Sequence, residues 1–264
     1  VMLFPRAGAL IKQYQRNQYF KSFLNFTFKK SKIFLCQGSS FQKFAIKELS
    51  FSKDKCPIIP NWTANKSYLQ IGEKRIFSNF QNDLNILFIG WIEDFKGIKE
   101  ILQAVKILKN KQYKFHFYFA GDGKLMSYAK NFVESFELER HATFLGWINE
   151  EKKIELLSKS NIFILPSWNE GLPNAMIEAM SAGLACIVSR VGMIPDYAEH
   201  ENNSLIIKPK SYEEIVLSIE KLIKDFEFRE KISKNAYFFA RENFSKENGI
   251  KLLDNEVKKL IALN

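Results

Sequence analysis

From residue 84 onward, short apolar runs alternate with stretches whose apolar residues recur every three or four positions. The runs are 86–89, 115–120, 142–145, 162–165, 185–188 and 205–207. None shows the strict alternation of a strand with one wet face, so they predict parallel strands covered by helices on both sides. Between the first two runs, Ile98, Ile101, Val105 and Leu108 mark the buried stripe of an amphipathic helix. The order predicts an α/β fold with a complete doubly wound, Rossmann-like parallel sheet over 84–210. Helical patterns at 211–225, 227–241 and 246–262 then pack on it as a C-terminal helical segment, 211–264. Ser211 with Glu214 three residues on has the form of a capping box at the first of these.

Before residue 84 the order differs. A basic, aromatic helical pattern over 8–29 is followed by a strand at 32–36, a helix at 39–49 and a strand at 57–59, as at the end of another α/β domain. Residues 61–83, polar and without clear periodicity, predict a linker. A unit as small as 1–60 cannot easily bury a sheet core alone. The expectation is therefore the truncated remnant of a second domain, incomplete or docked onto something, in a chain that opens with Val1 amid ordinary structured sequence.

Composition changes this picture little, but charge divides it. Of 264 residues 46% are apolar and 26% charged, the balance of a globular protein rather than of a disordered or fibrous one. The formal net charge is +10. Residues 1–50 hold nine basic side chains and one acidic, so nearly all of the surplus lies there. No apolar run approaches the eighteen or so residues that span a bilayer, and a cytoplasmic location is expected. Cys36, Cys56 and Cys186 are far apart in apolar surroundings and read as buried thiols. His116, His141 and His200 lack metal-ligand spacing, so no metal is expected.

The chemistry concentrates in 162–183. An apolar run ends at Pro166, a loop carries Glu170, Gly171 and Leu172, and a helix starts at Pro173 or Asn174 and stops at Gly183. Open parallel sheets bind ligands beyond the carboxyl ends of their strands. The free N–H groups of a helix's first turn, with the positive end of its dipole, suit a phosphate, and a glycine lets backbone approach it. Asn174 and Glu178, four apart, share a helix face. A phosphate seat thus has one carboxylate at its mouth and another a turn and a half along.

The run Glu170-Gly-Leu-Pro-Asn-Ala-Met-Ile-Glu178-Ala-Met-Ser-Ala-Gly183 resembles the E-x7-E signature of nucleotide-sugar-dependent glycosyltransferases of family 4 (group 1), with Ser181 in place of the usual Ala. Other landmarks are similar in order: Pro60-Asn61, the 90–97 loop, Gly121-Asp-Gly123, Phe144-Leu-Gly146 and the 192–196 turn. The resemblance covers about 55–262 and implies a GT-B fold, of which 84–210 is the nucleotide-sugar-binding half. It implies that Lys96 contacts the donor diphosphate and that Glu170 holds hydroxyls of the transferred sugar. Backbone groups of Gly171, Leu172, Pro173 and Asn174 seat phosphate and sugar, Glu178 accepts ribose hydroxyls, and Gly146, Trp147 and Ile148 frame the base. Gly90 and Trp91, which open the loop that carries Lys96, are likewise expected to bind the donor. The activity implied is sugar transfer with retention and without a metal or other cofactor, from a nucleoside diphosphate sugar to a glycan or lipid-linked acceptor, in cell-surface polysaccharide assembly such as capsule or lipopolysaccharide.

Two departures bear on that reading. Trp91 stands where the family carries a diphosphate-binding Arg, and most of an acceptor domain is expected to be missing. A non-catalytic nucleotide-sugar-binding fragment and a nucleotide-sugar epimerase of the same fold are the alternatives. Asp196 reads as a feature of a helix start, and Gly121 and Gly123 as a strand-to-helix turn. In the basic stretch, Phe20, Phe23, Leu24 and Phe28 read either as a core-facing stripe or as part of a surface, within 8–47, that rests on anionic lipid at the inner face of the cell membrane. Nothing accompanies the charge that would make nucleic acid a partner.

Overall fold

The computed structural model describes residues 2–3, 5, 11, 14, 18–28, 31–76 and 84–262. The sequence reading of a helix over 8–29 lies partly outside them, as does residue range 77–83 of the expected linker. The N-terminal elements are β1 (Met2–Leu3), α1 (Gln18–Phe28), β2 (Ile33–Phe34), α2 (Ser39–Leu49) and α3 (Lys66–Ile76). Strands β1 and β2 pair in parallel, and the expected strand at 57–59 is reduced to a single bridge between Cys36 and Ile58. Then follow β3 (Leu84–Ile89), α4 (Ile98–Asn110), β4 (Phe115–Ala120), α5 (Met126–Ser135), β5 (Ala142–Gly146), α6 (Glu150–Lys159), β6 (Ile162–Leu165), α7 (Asn174–Ser181), β7 (Ala185–Ser189) and β8 (Leu205–Ile207). Three helices close the chain: α8 (Tyr212–Lys224), α9 (Phe226–Phe244) and α10 (Lys246–Ala262).

Strands β3 to β8 form one parallel sheet in the order β5-β4-β3-β6-β7-β8. Every residue of β6 and β7 is buried, which is why their sequences run apolar without alternation. Chain order reverses between β3 and β6, and that reversal opens a crevice beyond their carboxyl ends.

The expected linker holds an ordered helix. α3 packs under α7 and α9 through Gly72, where an added Cβ would lie 2.3 Å from the Ser181 carbonyl oxygen and 2.4 Å from the Tyr237 ring. Three residues on, the Arg75 guanidinium donates to the carbonyls of Ala182, Leu157 and Ser158, meeting the orphan acceptors at the ends of α7 and α6. Burial lowers the Arg75 pKa to about 10, which leaves it charged at neutral pH.

Two local expectations are also revised. Ser211 accepts from the Glu214 N–H, but the Glu214 carboxylate turns to the Lys208 N–H instead of back to Ser211, so only half of the capping box forms. In α1 the aromatic face splits. Leu24 is buried, Phe20 and Phe28 are half-buried against the core, and Phe23 is 61% exposed beside Tyr19 and Phe26. Residues 20, 24 and 28 recur every fourth position and make one stripe, whereas residue 23 belongs to the next stripe round the helix.

Candidate active site

The carboxyl end of β3 leads through Gly90 and Trp91 into a short 3-10 turn, Asp94–Lys96. Gly97 ends that turn at φ +73°, and a Cβ there would meet the Pro166 carbonyl oxygen at 2.5 Å. This close approach, with the Trp168 N–H donating to the Phe95 carbonyl at 2.7 Å, locks the loop after β3 to the loop after β6. Lys96 and Glu170 meet as a result, Nζ to Oε1 at 2.5 Å, with side chains only 14% and 10% exposed. The fully buried Ser167 donates its hydroxyl to the same carboxylate oxygen at 2.7 Å. So the two side chains that the resemblance assigns to the diphosphate and to the transferred sugar, and hence to catalysis, stand together at the crevice. Ser167 was absent from the sequence reading.

The segment from Glu170 to Asn174 is braced from two further sides. Gly192, at φ +57°, lets the loop after β7 approach so closely that a Cβ would lie 2.1 Å from the Glu170 carbonyl oxygen, and the Met193 N–H donates to the Gly171 carbonyl. From the far side, Asn61 donates to the Leu172 carbonyl at 3.1 Å and to the Asn174 Oδ1 at 2.7 Å. Asn61 is itself held by Gln37. Pro173, in extended conformation, precedes the first turn of α7, whose N–H groups have no intrahelical partners. Leu172 and Pro173 are buried, while Gly171 is half-buried and Asn174 exposed. The loop therefore offers backbone donors rather than apolar surface.

Glu178 lies one turn into α7 with its side chain 13% exposed, and its Oε2 stands 3.2 Å from Lys153 Nζ on α6. Lys153 also pairs with Glu150 at 3.1 Å, and the Tyr68 hydroxyl of α3 donates to Glu150. Burial raises the Glu178 pKa, while Lys153 pulls in the opposite sense. Burial and the Glu150 hydrogen bond push Tyr68 up to about 12. None of Tyr68, Glu150 and Lys153 was singled out from sequence. The signal available was the i, i+3 spacing of Glu150 and Lys153, which ordinary solvated helix faces also show.

The remaining loop residues gather at the ends of β3, β4 and β5. Gly121, at φ +143°, carries its N–H to the Gly146 carbonyl, and a Cβ there would lie 1.8 Å from the Gly90 carbonyl oxygen. Gly121 and Gly123 are thus turn residues that let three strand ends converge. Gly146 is at φ +65° with open space where a Cβ would be. Trp91 and Trp147 meet edge to face, centroids 4.7 Å apart, and are 52% and 64% exposed, while Ile148 is half-buried. Trp91 therefore presents aromatic surface, not charge, beyond the end of β3. Asp196 accepts hydrogen bonds from the Ser39 hydroxyl and from the Ser40 hydroxyl and N–H, so it caps α2 from the far side of the cleft.

Residues 71–238 match the family model described as glycosyl transferases group 1. An uncharacterized glycosyltransferase of Methanocaldococcus jannaschii is 30% identical over 164 residues, 62% of this chain and 42% of that one. The UDP-Gal:alpha-D-GlcNAc-diphosphoundecaprenol alpha-1,3-galactosyltransferase of Escherichia coli is 27% identical over 72% of this chain and 51% of its own length. The sucrose-phosphate synthase of Thermosynechococcus elongatus superposes on the whole chain and on 68% of itself, with a TM-score of 0.81 at 16% identity. The chain spans about half the length of the curated relatives it matches.

Proposed function

Since the chain belongs to the group 1 glycosyltransferases and has the α/β, GT-B type of architecture, we propose that it forms the donor side of a sugar transfer. The donor is a nucleoside diphosphate sugar and the acceptor a glycan or lipid-linked saccharide in polysaccharide assembly, with retention at the transferred carbon. The observation that carries this reading is the Lys96–Glu170 pair at the crevice, beside the free N–H groups of α7. The diphosphate takes the seat from Gly171 to Asn174, where helix N–H groups and the Lys96 ammonium meet the charge that grows as the glycosidic bond breaks. Lys96 is already ordered against Glu170, so little reorganisation precedes the reaction. Glu170 accepts hydroxyls of the transferred sugar, and Glu178 those of the ribose. The loop from Gly146 to Ile148 borders the base, with Trp147 and Trp91 as its aromatic wall.

The test is donor turnover against donor binding, with an intact acceptor domain of the family supplied in trans. Nucleotide binding accompanied by release of nucleoside diphosphate from the donor sugar supports a transferase. Binding with no turnover in any combination supports a non-catalytic binding module instead, a reading that Trp91 in place of a cation favours.

A lipid-linked acceptor would bring the N-terminal elements to a membrane. Tyr19, Phe23 and Phe26 are 90%, 61% and 66% exposed on α1, in the half of the chain that holds the basic surplus. Among the described residues no helix is long and apolar enough to cross a membrane. Co-sedimentation with vesicles containing anionic lipid is expected at low salt and is expected to weaken as salt rises. Absent or salt-insensitive binding refutes the membrane surface.

A further inference from the structure

Glu178 is asked to accept hydrogen bonds from a ligand while sitting where burial disfavours its charge. A protonated carboxyl would be a poorer acceptor and would lose its pull on ribose hydroxyls. The groups that act on it come from two neighbouring helices. From α6, Lys153 approaches its Oε2 at 3.2 Å while Glu150 adds a repelling charge, and from α3 Tyr68 holds Glu150. Lys153 is 20% exposed at its side chain. Burial alone would lower its pKa, but Tyr68, Glu178 and Glu150 reverse that and raise it above the ordinary lysine value. Glu150 is held below its ordinary value, first by the Tyr68 hydroxyl. Tyr68 and Glu150 thus grip a cation whose other side faces Glu178, and α3 connects this grip to the body of the fold through Gly72 and Arg75.

We propose that Lys153 is a positioning residue for donor binding: clamped by Glu150 and Tyr68, it holds the Glu178 carboxylate charged and fixed in direction for the ribose hydroxyls. This rests on the assignment of Glu178 to the ribose. Lys153 need not touch the donor. It supplies the counter-charge that a carboxylate in a half-dry site lacks, and it leaves the other oxygen free to turn to the ligand. The clamp costs no reorganisation when the nucleotide arrives, because helices and not loops carry all four residues.

The test has two readouts on the 264-residue chain. The first is carbon-13 titration of the Glu178 carboxyl in the free protein. The second is calorimetry with whichever of UDP, GDP and ADP binds the wild type most tightly, at pH 6 and pH 8. Lys153→Met is expected to raise the Glu178 midpoint by roughly one pH unit or more. It is expected to weaken nucleotide binding about threefold at pH 6, no more than Glu178→Ala does there, and less at pH 8, where more of the carboxyl is ionised even without its partner. Lys153→Arg is expected to restore most of both. Should Lys153→Met not fold, Lys153→Gln carries the same test with a smaller change of shape. An unmoved Glu178 midpoint, or equal losses at both pH values, overturns the proposal. If Glu178→Ala leaves nucleotide affinity intact although Lys153→Met moves the midpoint, the ribose assignment fails and the positioning role falls with it. If Glu178→Ala weakens binding and Lys153→Met moves neither readout, the ribose assignment stands and only the role of Lys153 fails.

Discussion

The two carboxylates of the signature each stand beside a lysine, yet they are built differently. Glu170 and Lys96 sit on loops, and their meeting depends on backbone that only glycine adopts easily: Gly97 against Pro166 and Gly192 against Glu170 itself. Glu178 and Lys153 sit on adjoining helices, where side-chain direction follows from the helical repeat and a third helix supplies the brace. Loop construction, locked by those close backbone approaches, joins the ends of two strands in one charged pair. Helix construction fixes a part of the ligand that does not react. The difference suits one carboxylate at the sugar and one at the ribose.

That division of labour can be broken most sharply at the mouth. Glu170→Gln keeps shape and removes charge, and transfer is expected to fall on the order of a thousandfold with nucleotide affinity nearly unchanged. Equal loss of both, read by product release and calorimetry, would erase the distinction between the two carboxylates. Next in size is Gly97→Ala. It forces a side chain into a left-handed conformation against the Pro166 carbonyl and is expected to cost about 2 kcal/mol, lowering Tm by roughly 4–8 °C, with turnover reduced more than nucleotide binding. Wild-type Tm and turnover would show that the loop is not under this constraint. The smallest effect belongs to Glu178→Ala, for which about a tenfold loss of nucleotide affinity is expected. That loss is expected to shrink as pH falls. Burial raises the pKa of the Glu178 carboxyl, so as pH falls it loses its charge, and with it this advantage, before an ordinary glutamate would. Unchanged affinity at pH 8 would remove the ribose from this region.

Much of this architecture could be read from pattern. The six runs of buried residues became six strands, since a sheet covered on both sides leaves little room for polar positions. Glu170 and Glu178 were legible because a strand, a tight loop and a helix start surround them in an unmistakable order. The α3 helix was hidden because its main contact is an absence. Gly72 reads as a helix breaker, but here it is the place where another helix comes closest. Lys153, Glu150 and Tyr68 stayed unseen because Tyr68 lies more than eighty residues before its Glu150 partner. No local repeat encodes such a meeting. Asp196 was expected to serve a helix start, and it does serve one, on an element more than 150 residues earlier in the chain.

The contacts of α3 also decide where this molecule can be divided. Exchange of acceptor halves between related enzymes needs a crossover point, and the apparent seam just before β3 is a poor one. A junction there would strip the ends of α6 and α7 of the guanidinium that covers them and would expose the hollow that Gly72 fills. A crossover upstream of Asn61 keeps the brace on the signature loop together with α3. Chimeras joined there keep the proposed donor site with its bracing intact, whereas those joined at residue 84 must rebuild that bracing from a foreign helix.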